Sequence, residues 1–256
     1  MKISIITITY NSAKTLQRAL ESVRSQKYDE IEHIIVDGAS TDGTVEIIKA
    51  YAEKKSSAGR QKPLEVRWVS EPDNGIYNAL NKGIRMATGD VIGFLHSDDV
   101  FKSPDSIGHI AAALQSSNAQ VAYGDLQYMN GNHIVRRWKS NSFSPRSLKY
   151  GWMPPHPTLY CRKEVYEQTG LYDEWFRISA DYDMILRIFA AGYNSVYVPE
   201  VLVCMSWGGA SNKDTKARLS KTQEDYFVLK KNHIGAGLLT VACKQLRKVR
   251  QFLRKS

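Results

Sequence analysis

Apolar positions along the chain alternate between two rhythms. Ile3-Ser4-Ile5-Ile6-Thr7-Ile8-Thr9 is a β-branched run that predicts a buried strand. Leu16, Ala19, Leu20 and Val23 then recur at helical spacing, with Asn11 and Ser12 as suitable N-caps. The alternation repeats. It predicts strands over 31–36, 66–70 and 90–96 and helices over 44–52 and 76–87, with a polar turn at 37–43 and a polar loop at 54–63. Such alternation predicts a parallel sheet wound by helical crossovers. A helix is expected after Pro104. The runs 120–129 and 133–139 then flank Asn130-Gly131-Asn132 as a β-hairpin. Helices over 163–169 and 181–191 and short strands over 195–198 and 201–205 follow, and helices fill the tail. The expected class is α/β: a Rossmann-type nucleotide-binding sheet over 1–100, a mixed α/β half over 101–212, and a helical tail over 213–256.

Composition narrows the class. Of 256 residues 43% are hydrophobic and 24% charged, which suits a folded soluble enzyme and excludes a mainly disordered chain. No stretch approaches the roughly 20 apolar residues of a spanning helix, and no charged-then-apolar leader with a cleavage site is visible. Cys161, Cys204 and Cys243 are scattered and lack C-x-x-C spacing, which argues against a disulfide framework or a zinc site. A cytoplasmic protein is expected.

The net charge of +9 is confined to the tail, where residues from Lys213 onward include twelve Lys/Arg and three Asp/Glu. Within it Leu239, Ala242, Leu246, Val249 and Leu253 fall on one helical face, and lysines and arginines fill much of the rest. A basic amphipathic helix over 235–256 suits a membrane surface, and equally suits packing on the body or on another subunit.

In an open α/β sheet, ligands bind beyond the carboxyl ends of the strands. Four predicted strands end in polar residues: Thr9-Tyr10-Asn11, Asp37-Gly38-Ala39-Ser40, Glu71-Pro72-Asp73-Asn74 and Ser97-Asp98-Asp99. Adjacent carboxylates repel unless a cation sits beside them, and Mg²⁺ or Mn²⁺ accepts hard oxygen ligands together with substrate phosphates. Asp99 also suits an acidic helix cap. Asp37 at a strand end can accept a base N–H, and Asp42 can cap the helix that follows. Asp181 and Asp183 open a helix, about 200° of rotation apart, so at most one meets the cleft. Pro154-Pro155-His156-Pro157 is a stiff loop with a single histidine. Trp207-Gly208-Gly209-Ala210-Ser211 is a small-residue stretch that can close over a diphosphate or merely link to the tail. There is neither a Gly-Lys-Ser/Thr phosphate loop nor a G-x-G-x-x-G after the first strand.

The ordered motifs Ile5 to Asn11, Ile35 to Thr44, Ser70 to Gly83, Gly89-Asp90 to Asp98-Asp99, and Asp181-Tyr182-Asp183 with Arg187 resemble family 2 glycosyltransferases. The resemblance spans about residues 2–212 and is nearest to bacterial enzymes of exopolysaccharide, capsule or O-antigen assembly. It implies a GT-A fold, a nucleotide-sugar donor, Mn²⁺ or Mg²⁺ as cofactor, and inversion at the anomeric carbon. By resemblance Asp37 contacts the nucleobase, and Thr7, Thr9 and Tyr10 belong to the first nucleotide-contacting strand end. Asp73, Asn81 and Lys82 fall in the nucleotide-binding set, Asp98 lies near the ribose, Asp99 binds metal and Asp181 is the base. Ser97 stands where many members carry the first acid of Asp-x-Asp; a Ser-Asp-Asp form also occurs in the family. Trp152, His156 and Trp207, from the second half, are candidates for holding a saccharide or lipid-linked acceptor. The tail would reach an inner-leaflet surface, where each Lys or Arg contributes about 1 kcal/mol.

Two other functions compete. A sugar-1-phosphate nucleotidyltransferase needs a Gly-rich basic loop after the first strand, and Thr9-Tyr10-Asn11-Ser12-Ala13 stands there instead. A nucleic-acid-binding protein would use the basic tail, which lacks a recognised reader motif, so no nucleic-acid partner is expected.

Overall fold

The computed structural model describes residues 1–54, 61–208 and 215–253. Its first half follows the expected rhythm: β1 (Ile3–Thr9), α1 (Leu16–Arg24), β2 (Ile31–Asp37), α2 (Thr44–Glu53), β3 (Glu65–Ser70), α3 (Ile76–Met86) and β4 (Val91–Phe94). These strands lie parallel in the order β3-β2-β1-β4. β1 and β2 are buried along their whole length. Ile6, Ile34 and Val36 pack with Leu80 and Ile84 of α3 on one face, and Ile35 packs with Leu16 and Ile48 of α1 and α2 on the other. Burial on both faces explains why these strands read as continuous apolar runs. Their ends are level: Thr9 pairs with Asp37, and Asp37 with Ser70.

Beyond β4 the sheet becomes mixed rather than wholly parallel. The later elements are β5 (Val100–Phe101), α4 (Ser106–Ser117), β6 (Val121–Asn130), β7 (His133–Trp138) and α5 (Pro145–Leu148). After a 3₁₀ turn at His156–Thr158 come β8 (Tyr160–Arg162), α6 (Lys163–Thr169), α7 (Ala180–Ala190), β9 (Ser195–Ser206), α8 (Thr215–Lys231) and α9 (Leu238–Leu253). The sheet continues from β4 as β8-β6-β9-β5, with β7 in the expected hairpin beside β6.

Local expectations are corrected in two places. The two short strands expected over 195–205 are one strand, β9, which runs through Pro199; the irregularity falls in register shifts around its partner Asp125. Asn11 and Ser12 do not cap α1 with their side chains. The helix starts later, Ser12 receives the amides of Thr15 and Leu16 on its carbonyl, and Asn11 Oδ1 accepts the Thr41 amide at 2.9 Å instead.

The last two helices are not a detached tail. Val228, Leu229 and Val241 enter the same core as Tyr182, Ile185 and Phe189. Glu224 of α8 accepts the amides of Arg177, Ile178 and Ser179, at 3.1, 2.9 and 2.9 Å. α9 docks on the loop after α5: Thr240 Oγ1 donates to the Lys149 carbonyl at 2.9 Å, and Gly151, at φ +69°, leaves no room for a Cβ against the Lys244 backbone. The orientation of α9 settles one of its three readings. Leu239, Leu246 and Val249 are 66, 67 and 56% exposed, whereas Thr240, Val241 and Lys244 are buried. The apolar stripe therefore does not pack on the body. No helix among the described residues is long and apolar enough to cross a membrane.

Candidate active site

The level ends of β1, β2 and β3 lie side by side at one edge of the sheet. The amide of Gly38 donates to the Thr9 carbonyl at 2.9 Å, joining the first two ends. A Cβ on Gly38 would lie 2.6 Å from Asp73 Oδ2 and 3.2 Å from the Tyr10 ring, so a larger residue would push both side chains aside. Asn11 (φ 47°) and Ala39 (φ 61°) flank it in the left-handed region, where non-glycine residues are uncommon and cluster at functional sites. Asp37 is fully buried and accepts from the Ser40 amide at 2.9 Å, from the Ser40 hydroxyl, and from Ser70 Oγ at 2.6 Å. A carboxylate offers about four acceptor positions, and three of them are filled here. Thr9 Oγ1 is buried without a hydrogen-bond partner, and Tyr10 is exposed beside it.

At the end of β4 the chain turns through Asp98 and Asp99. The Ser206 amide donates to Asp99 Oδ1 at 3.2 Å, and Ser206 Oγ donates to the Asp98 carbonyl at 2.6 Å. Arg18 reaches the same carbonyl at 3.2 Å. Asp99 Oδ2 is buried with no hydrogen-bond partner. Burial, then the neighbouring charge of Asp98, push the Asp99 carboxyl well above the usual carboxylate range. An orphaned buried carboxylate oxygen next to a second carboxylate fits a hard divalent cation. Among the described residues no cluster of three His, Cys, Asp or Glu forms a complete cage. Such a cation would complete its coordination from phosphate and water.

Asp181 lies half-buried in the first turn of α7. Burial pushes its pKa up, but Lys221, Lys244 and the Tyr182 amide, 2.8 Å away, hold it below the usual value. It is ionised at neutral pH and able to take a proton. Asp183 points elsewhere, as the helical spacing requires: it is buried against Arg187 at 2.9 Å and Lys231 at 3.1 Å. Asp181 and the acids after β4 act on the same neighbours. His96 lies in the fields of Asp98 and Asp181, and Tyr128 in those of Asp99 and Asp181.

His156 is buried between two rings, stacked on Phe94 at 5.1 Å and on His96 at 5.9 Å. Its Nε2 meets the Tyr172 hydroxyl at 2.6 Å. Burial pulls His156 down to about 4 and lowers His96 as well, so two neutral imidazoles stack at neutral pH.

Other sequence-expected residues are diverted. The Thr7 hydroxyl lies inside the sheet, 3.0 Å from His33 Nε2. Asn81 is spent on the loop before α7: its amide donates to the Tyr172 carbonyl at 3.0 Å and Glu174 at 2.8 Å, and its oxygen accepts the Tyr172 amide at 2.9 Å. Lys82 ties down the loop that carries Asp73, through the Pro72 carbonyl at 2.8 Å and Glu71 at 2.8 Å. Both shape the site from behind. Trp152 is a core ring, with its indole N–H on the Ser140 carbonyl at 2.8 Å and Phe189 packed at 5.0 Å. Trp207 is exposed, edge-on to Tyr128 at 6.0 Å. The rest of its small-residue stretch, from Gly209, lies outside the described residues. The sequence reading missed His96, Tyr172, Ser206 and Lys244. His96 alone carried a signal, being next to Ser97-Asp98-Asp99.

The family model for "Glycosyl transferase family 2" matches residues 4–178. An uncharacterized glycosyltransferase of Mycobacterium tuberculosis is 34% identical over 190 residues, covering 72% of this chain and 68% of that protein. Among solved structures, Staphylococcus aureus TarS 1–349 in complex with UDP-GlcNAc superposes with a TM-score of 0.71 at 19% identity, over 91% of this chain and 65% of that one. The mannosyltransferase PcManGT of Pyrobaculum calidifontis, in complex with GDP-Man and Mn²⁺, gives 0.67 at 18%, over 100% and 76%. The shared fold is of the GT-A type. The strand-end acids, the fold and the sequence match agree, and the chain belongs to glycosyltransferase family 2.

Proposed function

We propose that this glycosyltransferase moves a sugar from a nucleoside-diphosphate sugar to an acceptor hydroxyl with inversion, in assembly of a cell-surface glycan. One observation carries the reading: the orphaned Asp99 oxygen and the ionised Asp181 share Tyr128 as a neighbour, and His96 lies between the charges of Asp98 and Asp181. Asp37, Thr9, Tyr10 and Asp73, at the strand ends, would receive the nucleoside, and the neighbours solved with UDP-GlcNAc and with GDP-Man support that class of donor. Asp98 and Asp99 would hold Mn²⁺ or Mg²⁺, whose charge offsets the negative charge developing on the leaving diphosphate. Asp181 accepts the proton of the acceptor hydroxyl as it attacks the sugar from the face opposite the diphosphate. Two substrates held in one cleft supply the orientation, and direct displacement predicts inversion without a covalent enzyme intermediate.

The exposed face of α9 supports the proposed acceptor class. Its outward apolar stripe is flanked by basic residues, and this combination suits an anionic lipid surface. We place the enzyme at the inner leaflet, on a lipid-linked or saccharide acceptor. Calorimetric titration with UDP, GDP and dTDP, each with and without Mn²⁺, tests the donor assignment. Metal-dependent binding of one nucleotide is expected; binding of none would overturn it.

A further inference from the structure

A cavity opens away from these strand ends. It has a volume of about 280 Å³ and lies between the end of β7, the loop at 151–153 and the inner side of α9. That is the small end of ligand sites, roughly 300–1,000 Å³, and suits one compact group. Arg137, Lys139, Lys244, Arg247 and Lys248 line it, and no acidic residue does among those described. Asp225 pairs with Lys244, at 2.8 Å, and acts on Lys248 from farther away. Four further cations around one small space repel one another unless an anion joins them. Burial lowers both Lys244 and Lys248 to about 8, as expected where counter-charge is short.

The orientation of α9 points the same way. A helix that served only solubility would turn its leucines in and its lysines out. α9 does the reverse, with Leu239 and Leu246 in solvent and Lys244 buried. We infer that this cavity binds the phosphate or diphosphate group of the acceptor. The inference rests on the transferase reading and adds the acceptor's chemistry to it. Lys244 connects the two sites: it lines the cavity, lies 3.3 Å over the Tyr182 ring, and acts on Asp181. A phosphate held there would sit beside the lysine that acts on Asp181, and Trp138 and Trp152 offer apolar walls to the carbon skeleton attached to it. The donor's diphosphate has its own place at Asp98 and Asp99, so the anion in this cavity belongs to the other substrate.

The test is calorimetry on the full chain, in chelator to silence the metal-dependent site, with inorganic diphosphate, farnesyl diphosphate and a single-stranded oligonucleotide as probes. Arg137→Gln with Lys248→Gln should weaken diphosphate binding about tenfold or more, with an unchanged melting temperature. Farnesyl diphosphate binding about tenfold tighter than inorganic diphosphate identifies a lipid-carried acceptor; equal affinities identify a soluble phosphate ester. No diphosphate binding, binding indifferent to the two substitutions, or displacement of diphosphate by the oligonucleotide would each overturn the inference. Nucleotide binding with Mn²⁺, measured on the same proteins, is expected to persist. Its loss in wild type strikes the transferase reading, whereas failure of the diphosphate titrations strikes only this one.

Discussion

Lys244 of α9 places its ammonium 2.8 Å from the carboxylate of Asp225 on α8, and both side chains are nearly inaccessible to solvent. The pair fastens the last two helices where Ser179 Oγ also donates to Asp225, at 2.8 Å, beside the turn that carries Asp181. Removing one partner of a buried pair strands the other charge, so Asp225→Ala should cost about 3–5 kcal/mol in denaturant unfolding. Replacing both with apolar residues should recover much of that loss. A cost of about 1 kcal/mol or less, typical of exposed pairs, would show that the pair does not fasten the helices.

Asp181→Asn should separate chemistry from binding. The amide keeps the shape but cannot take a proton, so turnover should fall by roughly 10²–10⁴-fold with nucleotide affinity unchanged. Loss of nucleotide binding along with activity would mean that Asp181 holds the fold of the site and is not its base.

Asp99→Asn gives a paired readout. Wild type should melt at higher temperature when Mn²⁺ is added, because a ligand of the native state stabilises it, and the variant should not respond. Without metal the variant should be at least as stable as wild type, since a buried ionisable carboxyl is replaced by a neutral amide. An equal Mn²⁺ response in both proteins would remove Asp99 from the metal assignment.

Glu32 sets an acid limit to stability. Burial would raise its pKa, yet hydrogen bonds from Ser4, Thr88 and Arg67 outweigh burial and hold it at about 2, against 4.5 unfolded. A carboxyl depressed by folding contributes fully above the unfolded value and loses that contribution as pH falls from 4.5 towards 2. The amount is roughly 3 kcal/mol. Glu32→Gln should therefore be less stable than wild type at pH 7 and converge with it in acid. A gap that does not change with pH would contradict the linkage.

The outward stripe of α9 can be tested without touching the cleft. Leu246→Glu with Val249→Glu should abolish co-sedimentation with anionic vesicles and leave nucleotide binding intact. If the substitutions instead halve the solution mass of the protein, the stripe is a contact between subunits.

Much of the nucleotide half was legible because its signals are local. β-branched runs, helical spacing and turn residues placed β1 to β4 and α1 to α3 within a few residues. β5, β8 and α5 escaped, being two, three and four residues long and held by distant partners. β8 exists because Cys161 pairs with Ile92 on one side and Val121 on the other. No local pattern announces such a strand.

The sequence by itself determined which residues stand at strand ends, because parallel strands joined by crossovers bring their carboxyl ends to one edge. Asp37, Asp73, Asp98 and Asp99 were found that way, and the motifs around them placed the family. Only the tertiary structure decided what each side chain then does. Asn81 and Lys82 were expected in the nucleotide-binding set, yet Asn81 is bonded to the loop at Tyr172 and Glu174, and Lys82 to the Pro72 carbonyl and Glu71. The apolar stripe of α9 was visible, but periodicity defines a face and not the direction it points. That direction was set by Asp225, Tyr182 and the bare backbone of Gly151, which together make room for Lys244 and turn the leucines out. The reason is physical: the cost of burying an ammonium depends on partners far away in the chain, and they come together only when the chain has folded.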